Sequence, residues 1–140
     1  MHIGAGLFER LADLARSSGL AGRVALVTDS NVLPLYGDRA RQLLSEAGFT
    51  VALYEMAAGE DSKSLDRVAE LYDRFLRDEL DRTSGVIALG GGVVGDVAGF
   101  VAATALRGLR VLQCPTTLLA AVDSAVGGKT GVDHAVGKNL

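Results

Sequence analysis

Several residue types whose abundance would point to a class of protein are scarce in this sequence. The single cysteine, Cys114, excludes a disulfide scaffold. The only histidines, His2 and His134, have no acid or cysteine at metal-ligand spacing within one element. Basic residues are not concentrated anywhere, the net charge is −3, and no secretory signal opens the chain. We therefore expect a cytoplasmic protein with no nucleic-acid partner and no metal site within these residues.

One apolar stretch is long enough to suggest a membrane span. Residues 86–105 contain a single charge, Asp96, and twenty residues match the length of a spanning helix. A carboxylate at the centre of a bilayer would cost about 2.5–3.5 kcal/mol. A short strand, a glycine turn and a helix explain the same residues without that cost. We therefore expect no membrane partner.

The remaining pattern is that of one folded domain. Apolar residues make up 49% of the 140 positions, which excludes disorder. Short apolar runs predict strands at 23–28, 50–56, 86–89 and 111–114. Helical periodicity predicts helices at 7–15, 35–47, 64–80, 94–106 and 118–125. Because strands alternate with helices and are apolar on both faces, we predict an α/β fold, a Rossmann-like parallel sheet with helices on both faces.

The helix at 64–80 has the clearest pattern. Ser64 is placed to cap its N-terminus. The face predicted to be buried consists of Leu65, Val68, Leu71, Tyr72, Phe75 and Leu76.

Glycines concentrate where charges are few. Residues 85–140 hold 11 of the 18 glycines but only 7 charged side chains, against 24 in residues 1–84. Gly90, Gly92 and Gly95 match G-x-G-x-x-G between a predicted strand and a predicted helix, where backbone N–H groups can hold a pyrophosphate. The alternative is a tight turn packed against a neighbouring strand. No acid follows about 20 residues later, as the full pattern requires.

In sheets of this kind, ligands bind beyond the carboxyl ends of the strands. The residues that follow the predicted strands are 29–31, 59–60, 90–92 and 116–117. Asp29 is thus placed to serve a ribose, and Asp96 falls in the first turns of a helix, where the dipole favours a carboxylate.

The lysines, the segment at residues 128–130 and the cysteine each allow more than one interpretation. The three lysines, Lys63, Lys129 and Lys138, all fall in or near turns, and the last two directly follow glycines. Each is interpreted either as a contact to a phosphate or carboxylate or as a solvated loop residue. Gly128-Lys129-Thr130 is not a P-loop, because Asp123 stands where the first glycine is needed. Cys114 is interpreted as a small core residue rather than a nucleophile.

Two segments together resemble one family. LGGGVVGDVAGFVAATALRG and PTTLLAAVDSAVGGKTGVDHAVGKN are similar to the 3-dehydroquinate synthases, of the sugar-phosphate cyclase group. The resemblance runs from the first residue to the last, is densest from Leu89, and covers the first part of a family chain well over twice this length. It implies that residues 1–140 are the N-terminal NAD-binding domain, with a C-terminal helical, metal-binding domain beyond them.

The resemblance also implies functional residues. NAD contacts fall on Asp29, Asn31, Glu60, Lys63, Gly91, Gly92, Val93, Asp96, Thr116, Thr117 and Lys138. Substrate contacts fall on Arg107, Asp123, Lys129 and Asn139, of which Lys129 and Asn139 would be catalytic. Many of these residues are the strand-end positions singled out above.

The activity implied is that of a lyase of the shikimate pathway, in aromatic amino acid biosynthesis. With NAD as cofactor, the anionic substrate 3-deoxy-D-arabino-heptulosonate 7-phosphate cyclises to 3-dehydroquinate and releases phosphate. A divalent metal, Zn²⁺ or Co²⁺, polarises the alcohol and ketone, and its family ligands lie beyond the Gly-Lys-Asn motif. We therefore expect these 140 residues alone to be inactive, and the complete enzyme to be a homodimer.

One departure and two alternatives accompany this resemblance. The family loop usually reads G-V-N-H, whereas Asp133 replaces the asparagine here. The alternatives are a sister cyclase that uses another sugar phosphate, and a non-catalytic NAD-binding module. Glycerol dehydrogenase-like enzymes share the glycine motif and Pro-Thr-Thr, but are not expected to continue with LLAAVDS and GGKTG.

Overall fold

A four-stranded parallel sheet forms the centre of the fold. The computed structural model describes residues 1–140. The strands are β1 Arg23–Asp29, β2 Thr50–Met56, β3 Gly85–Gly90 and β4 Arg110–Pro115, in the order β2-β1-β3-β4. The helices are α1 Leu11–Ser17, α2 Asp38–Glu46, α3 Leu65–Arg77, α4 Gly92–Thr104 and α5 Leu118–Val122. Short 3₁₀ turns lie at Leu7–Arg10, Glu60–Ser62 and Ala105–Arg107, and a π turn lies at Leu33–Gly37.

Helices cover both faces of the sheet, as predicted. Successive residues of a strand point to opposite faces, so β1 contributes to two cores. Val24 and Leu26 pack in a cluster with α1 and α2. Ala25 and Val27 pack in a second cluster with α3 and α4. The Rossmann-like α/β prediction is therefore confirmed.

The strands differ in burial according to their place in the sheet. β3 is buried along its whole length, and β1 is buried except at its two ends. β2 and β4 form the edges and expose several residues, so the prediction of strands buried on both faces is right only for the central pair.

The buried face of α3 is narrower than the sequence predicts. The Ser64 hydroxyl caps the helix by accepting from Arg67 N, and Val68, Leu71 and Phe75 are buried. Leu65 and Leu76, however, are 48% and 62% exposed. At 3.6 residues per turn they lie roughly 60° and 80° round the helix from Val68, beyond the arc that meets the sheet.

The observed ends of α4 and α5 also differ from the predicted ones. α4 begins at Gly92 rather than residue 94, and it ends at Thr104 because Ala105 adopts an extended conformation; Leu106 then has a positive φ of 52°. α5 ends at Val122 instead of residue 125, and it leaves Leu118, Leu119 and Val122 exposed. None of the helices combines the length with the apolar character that crossing a membrane requires.

The face assignment of α3 is tested by neighbouring substitutions. Phe75→Ala is expected to lower the free energy of unfolding by about 3–5 kcal/mol, because it opens a cavity beneath the Tyr54 ring. Leu76→Ala, the matched control, is expected to change it by less than about 0.5 kcal/mol. Urea denaturation measures both. Equal losses for the two variants would show that Leu76 is also part of the core.

Candidate functional site

The order of the strands creates a crevice at the carboxyl edge of the sheet. From β1 the chain crosses to β2 on one side, whereas from β3 it crosses to β4 on the other. The connections therefore diverge between β1 and β3. Ligands of open α/β sheets bind at such a switch point. Here it lies between Asp29, the last residue of β1, and Gly90, the last residue of β3.

The glycine motif at this point serves two purposes. A Cβ on Gly90 would lie 2.5 Å from Val94 Cγ2, and one on Gly95 would lie 2.9 Å from Gln113 Oε1. Packing requires Gly90, because the branched Val94 side chain is stiff, whereas a side chain on Gly95 would displace the end of the Gln113 side chain. Both contacts agree with the alternative interpretation of the motif. A Cβ on Gly91 or Gly92 would meet nothing closer than 3.8 Å. Their backbone is therefore open to a ligand.

The start of α4 is suited to bind an anion. Gly91 occupies the N-cap position in an extended conformation, and no side chain caps the helix. The first N–H groups of a helix have no intrahelical acceptors, and the dipole favours negative charge there. Gly91 also faces Thr117, whose methyl group would be the nearest neighbour of a Cβ added to this glycine.

Asp29 shapes the loop that leaves β1. Its Oδ1 accepts hydrogen bonds from the backbone N–H groups of Asn31 and Val32, both at 2.9 Å. One carboxylate oxygen thus fixes the loop, and Oδ2 is left to accept a hydrogen bond from a ligand. Asn31 is exposed beside it and contributes its backbone to this turn.

Lys63 is a buried cation at the same edge. Its side chain is 5% exposed, and Nζ donates to Asp96 Oδ2 and to Asn139 Oδ1, each at 2.5 Å. The 3₁₀ turn after β2 delivers it there, since Lys63 N donates to Glu60 O. The interpretation of Lys63 as a solvated loop residue is therefore wrong.

The structure corrects the interpretation of Asp96. It lies one turn inside α4 rather than in the first turn, so the helix dipole is not its main partner. Its carboxylate instead neutralises the Lys63 ammonium in a site where each charge is largely withdrawn from water. Such burial is tolerated only when the two charges are paired.

A polar cavity of about 350 Å³ adjoins this ion pair. Its lining contains no hydrophobic residue and consists of Asp96, Asp123, Ser124, Lys129, Thr130, Gly131 and Asn139. Lys129 donates a hydrogen bond to Asp123, and this bond, together with the negative charge of the carboxylate, raises the pKa of Lys129 above its ordinary value. The structure thus brings together three of the four residues predicted to contact substrate.

Arg107 is the fourth, and it lies elsewhere. It follows the C-terminal end of α4, whereas Asp96, which lines the cavity, lies in the N-terminal half of that helix. The thirteen residues of α4 separate the two ends by about 20 Å. Within one chain, Arg107 is therefore at the amino edge of the sheet, and its role in binding substrate stays a prediction.

The other predicted cofactor residues are distributed along the crevice. Thr116 N donates to Gly90 O at 2.9 Å, and Thr117 Oγ1 caps α5 by accepting from Ala120 N at 3.1 Å. Val93 is half-buried in the first turn of α4. Glu60 and Lys138 are exposed near this edge and make no side-chain hydrogen bond.

A second cavity, of about 400 Å³, lies at the opposite edge of the sheet. Two guanidinium groups there satisfy the carbonyl groups beyond two helix ends: Arg16 donates to Ala47 O, and Arg110 donates to Gly19 O. This cavity is a gap between the chain reversals that precede β1 and β2. It brings together none of the predicted site residues.

Comparisons with known proteins agree with this geometry. The family model for the 3-dehydroquinate synthase N-terminal domain matches residues 53–140. This chain belongs to that family. 3-Dehydroquinate synthases of Symbiobacterium thermophilum and Desulforamulus reducens are 58% and 51% identical to it, over all of the chain. In both cases the chain spans 39% of the relative's length.

Solved structures of related enzymes have the same fold. A 2-deoxy-scyllo-inosose synthase complexed with carbaglucose-6-phosphate, NAD⁺ and Co²⁺ matches with a TM-score of 0.88 and 29% identity, over 98% of this chain and 37% of that one. The 2-epi-5-epi-valiolone synthase ValA of Streptomyces hygroscopicus, with NAD⁺ and Zn²⁺ bound, matches with a TM-score of 0.79 and 32% identity, over 92% and 36%. A glycerol dehydrogenase of Schizosaccharomyces pombe, at 22% identity, shares the fold alone.

Sequence reasoning missed several residues of this 3-dehydroquinate synthase-type domain. Ser124, Thr130 and Gly131 line the cavity, and the side-chain Oδ1 of Asp133 accepts a hydrogen bond from the backbone N–H of Asn139. The sequence signal that could have found these residues is their position in the glycine-rich segment after α5.

Nowhere in the structure do three or more His, Cys, Asp or Glu side chains lie close enough together to hold a metal ion.

The two Lys–Asp pairs of the site are expected to differ in strength. Lys63→Met leaves the Asp96 carboxylate without its cation and should lower the free energy of unfolding by about 3 kcal/mol. Lys129→Met, in the exposed pair with Asp123, is the matched control and should change stability little. Urea denaturation of both variants decides. Equal effects would contradict the buried character of the Lys63 pair.

Cys114 is expected to be chemically inert. Burial raises the pKa of its thiol to about 12, so the thiolate is scarce at neutral pH. A thiol reagent such as dithionitrobenzoate should react at pH 8 only after the protein is unfolded. Rapid reaction with the folded protein would show that the thiol is accessible and ionised.

Proposed function

We propose that these residues are the NAD-binding part of a 3-dehydroquinate synthase. That enzyme converts 3-deoxy-D-arabino-heptulosonate 7-phosphate to 3-dehydroquinate and releases phosphate. The observation that carries the proposal is the pair of hydrogen bonds that Lys63 Nζ donates. One goes to Asp96 in α4, the helix that follows the glycine motif, and the other goes to Asn139, which lines the polar cavity. Cofactor and substrate are thereby brought to one edge of the sheet.

The crevice fits NAD. The bare backbone at Gly91 and Gly92 leaves a cradle that a side chain would fill, and the uncapped start of α4 lies beside it. We place the pyrophosphate at these N–H groups and a ribose hydroxyl at Asp29 Oδ2. When bound, NAD supplies the hydride acceptor and donor that the reaction needs.

The cavity suits an anionic substrate. Lys129 lines it as an exposed cation that can bind a phosphate or carboxylate. Because the Asn139 carbonyl oxygen accepts from Lys63, its amide NH₂ group is left to donate to a substrate oxygen. Asp123 restrains Lys129, and Asp96 is shared between the crevice and the cavity.

A divalent metal does not fit these residues, since no set of donors converges. We therefore assign no step of the reaction to a metal here. Together with the distance of Arg107 from the cavity, this supports the proposal that the 140 residues alone do not turn over substrate. We further propose that the complete enzyme acts as a homodimer in the cytoplasm.

A sister cyclase is the second candidate, since two solved cyclases with other names match the fold closely. Identity favours the first: relatives named 3-dehydroquinate synthase reach 58%, whereas these two cyclases reach 29% and 32%. Assays of the complete gene product separate the candidates. We expect turnover of the seven-carbon keto-acid phosphate, and turnover of only another sugar phosphate would favour the sister cyclase.

The cofactor site is tested by calorimetric titration of the chain with NAD⁺. Gly92→Val is expected to weaken binding by about tenfold or more, because its side chain fills the cradle and displaces a charge-assisted hydrogen bond. Gly4→Val, at an exposed glycine near the N-terminus, is the control and should bind like the unaltered chain. No heat at millimolar NAD⁺ with the unaltered chain, or equal affinity in both variants, would contradict the proposal.

A further inference from the structure

Residues 131–140 fold back as a loop that brings Asn139 to Lys63. Val132 and Leu140 exchange two backbone hydrogen bonds, of 3.3 and 2.8 Å, which close the loop at its base. Gly131 permits this closure, since a Cβ there would lie 3.3 Å from Leu140 O. The loop therefore has one defined position against the buried cation.

Asp133 connects this loop to the rest of the site at two points. Its backbone N–H donates to Lys63 O at 2.7 Å, and the residue forms a parallel bridge with Ser64. Its side-chain Oδ1 accepts from the backbone N–H of Asn139 at 2.9 Å. The first contact anchors Asp133, and the second transmits that anchoring to Asn139.

Asn139 needs such support because of its backbone conformation. Its φ is +56°, in the left-handed region, which asparagine tolerates better than most residues but which is still sparsely populated. The Asp133 carboxylate is the partner of its N–H group. No other group in the chain accepts a hydrogen bond from this N–H.

The orientation of the Asn139 side chain follows from Lys63. A lysine ammonium donates hydrogen bonds and accepts none, so the amide oxygen of Asn139 must face it. The amide NH₂ group then points away from Lys63, and Asn139 lines the cavity that also contains Lys129. Two contacts, one to its backbone and one to its side chain, thus fix a hydrogen-bond donor at the cavity.

We propose that Asp133 is a positioning residue, which holds Asn139 so that its amide donates to an anionic substrate in the cavity. This inference rests on the proposed function in one respect, namely that the cavity receives an anion. Asp133 does not line the cavity and acts only through Asn139. Asparagine at position 133 retains an oxygen that can accept the same hydrogen bond.

Amide hydrogen exchange of the chain, followed by NMR, tests the proposal. Asp133→Ala is expected to accelerate exchange at Asn139 by about tenfold or more, since the loss of one hydrogen bond frees that N–H. Asp133→Asn should restore the protection. Asp73→Ala removes the same charge from an exposed position of α3 and should leave Asn139 unchanged. Should the alanine variant fail to fold, Asp133→Ser, whose hydroxyl is too short to reach, replaces it.

The substrate part is tested by kinetics of the complete gene product. Asp133→Ala should raise KM for the anionic substrate several-fold more than it lowers kcat, and Asp133→Asn should recover most of KM. NAD⁺ affinity should change much less than KM in either variant, because Asp29, Gly91 and Gly92 lie outside the loop that Asp133 holds. Unaltered exchange at Asn139 in Asp133→Ala, or no recovery in Asp133→Asn, would overturn the proposal. Absence of NAD⁺ binding in the unaltered chain would instead count against the proposed function.

Discussion

The buried ammonium of Lys63 is the group on which the arrangement of the site depends. An unpaired charge with 5% exposure would be too costly to retain, so the fold must supply partners for it. It does so from two distant parts of the chain, Asp96 in α4 and Asn139 near the end. The pairing of Lys63 therefore fixes the position of α4 relative to the loop that follows α5.

The topology of the sheet makes this convergence possible. Parallel strands place all their carboxyl ends at one edge, and the order β2-β1-β3-β4 opens a crevice between the central two. Residues that follow each of the four strands, together with the loop after α5, then meet at this edge. The glycines of α4 add a second condition, since Gly95 and Gly99 lie so close to Gln113 and Thr130 that larger side chains would push these neighbours away.

The sequence predicts strand bounds and helix caps well because both depend on residues that are close together in the chain. The β2 bounds of 50–56 and the Ser64 cap are confirmed, since both follow from short-range patterns. The exposure of Leu76, the burial of Lys63 and the partner of Asp96 depend on which surfaces meet in three dimensions. The family resemblance names Lys63 and Asn139 separately, but only the folded structure shows that they contact each other. Asp133 is visible in the sequence as a departure from the family pattern, yet its hydrogen bond to Asn139 has no signature there.

Chemical-shift mapping of the amide groups during titration with NAD⁺ tests the central claim most directly. If the cofactor binds between β1 and β3, resonances of Gly91, Gly92, Asn31 and Thr117 should shift together with one affinity. Those of Gly19 and Gly48, beside the cavity at the amino edge, should stay in place. Shifts confined to the amino edge, or scattered over the surface without saturation, would contradict the account.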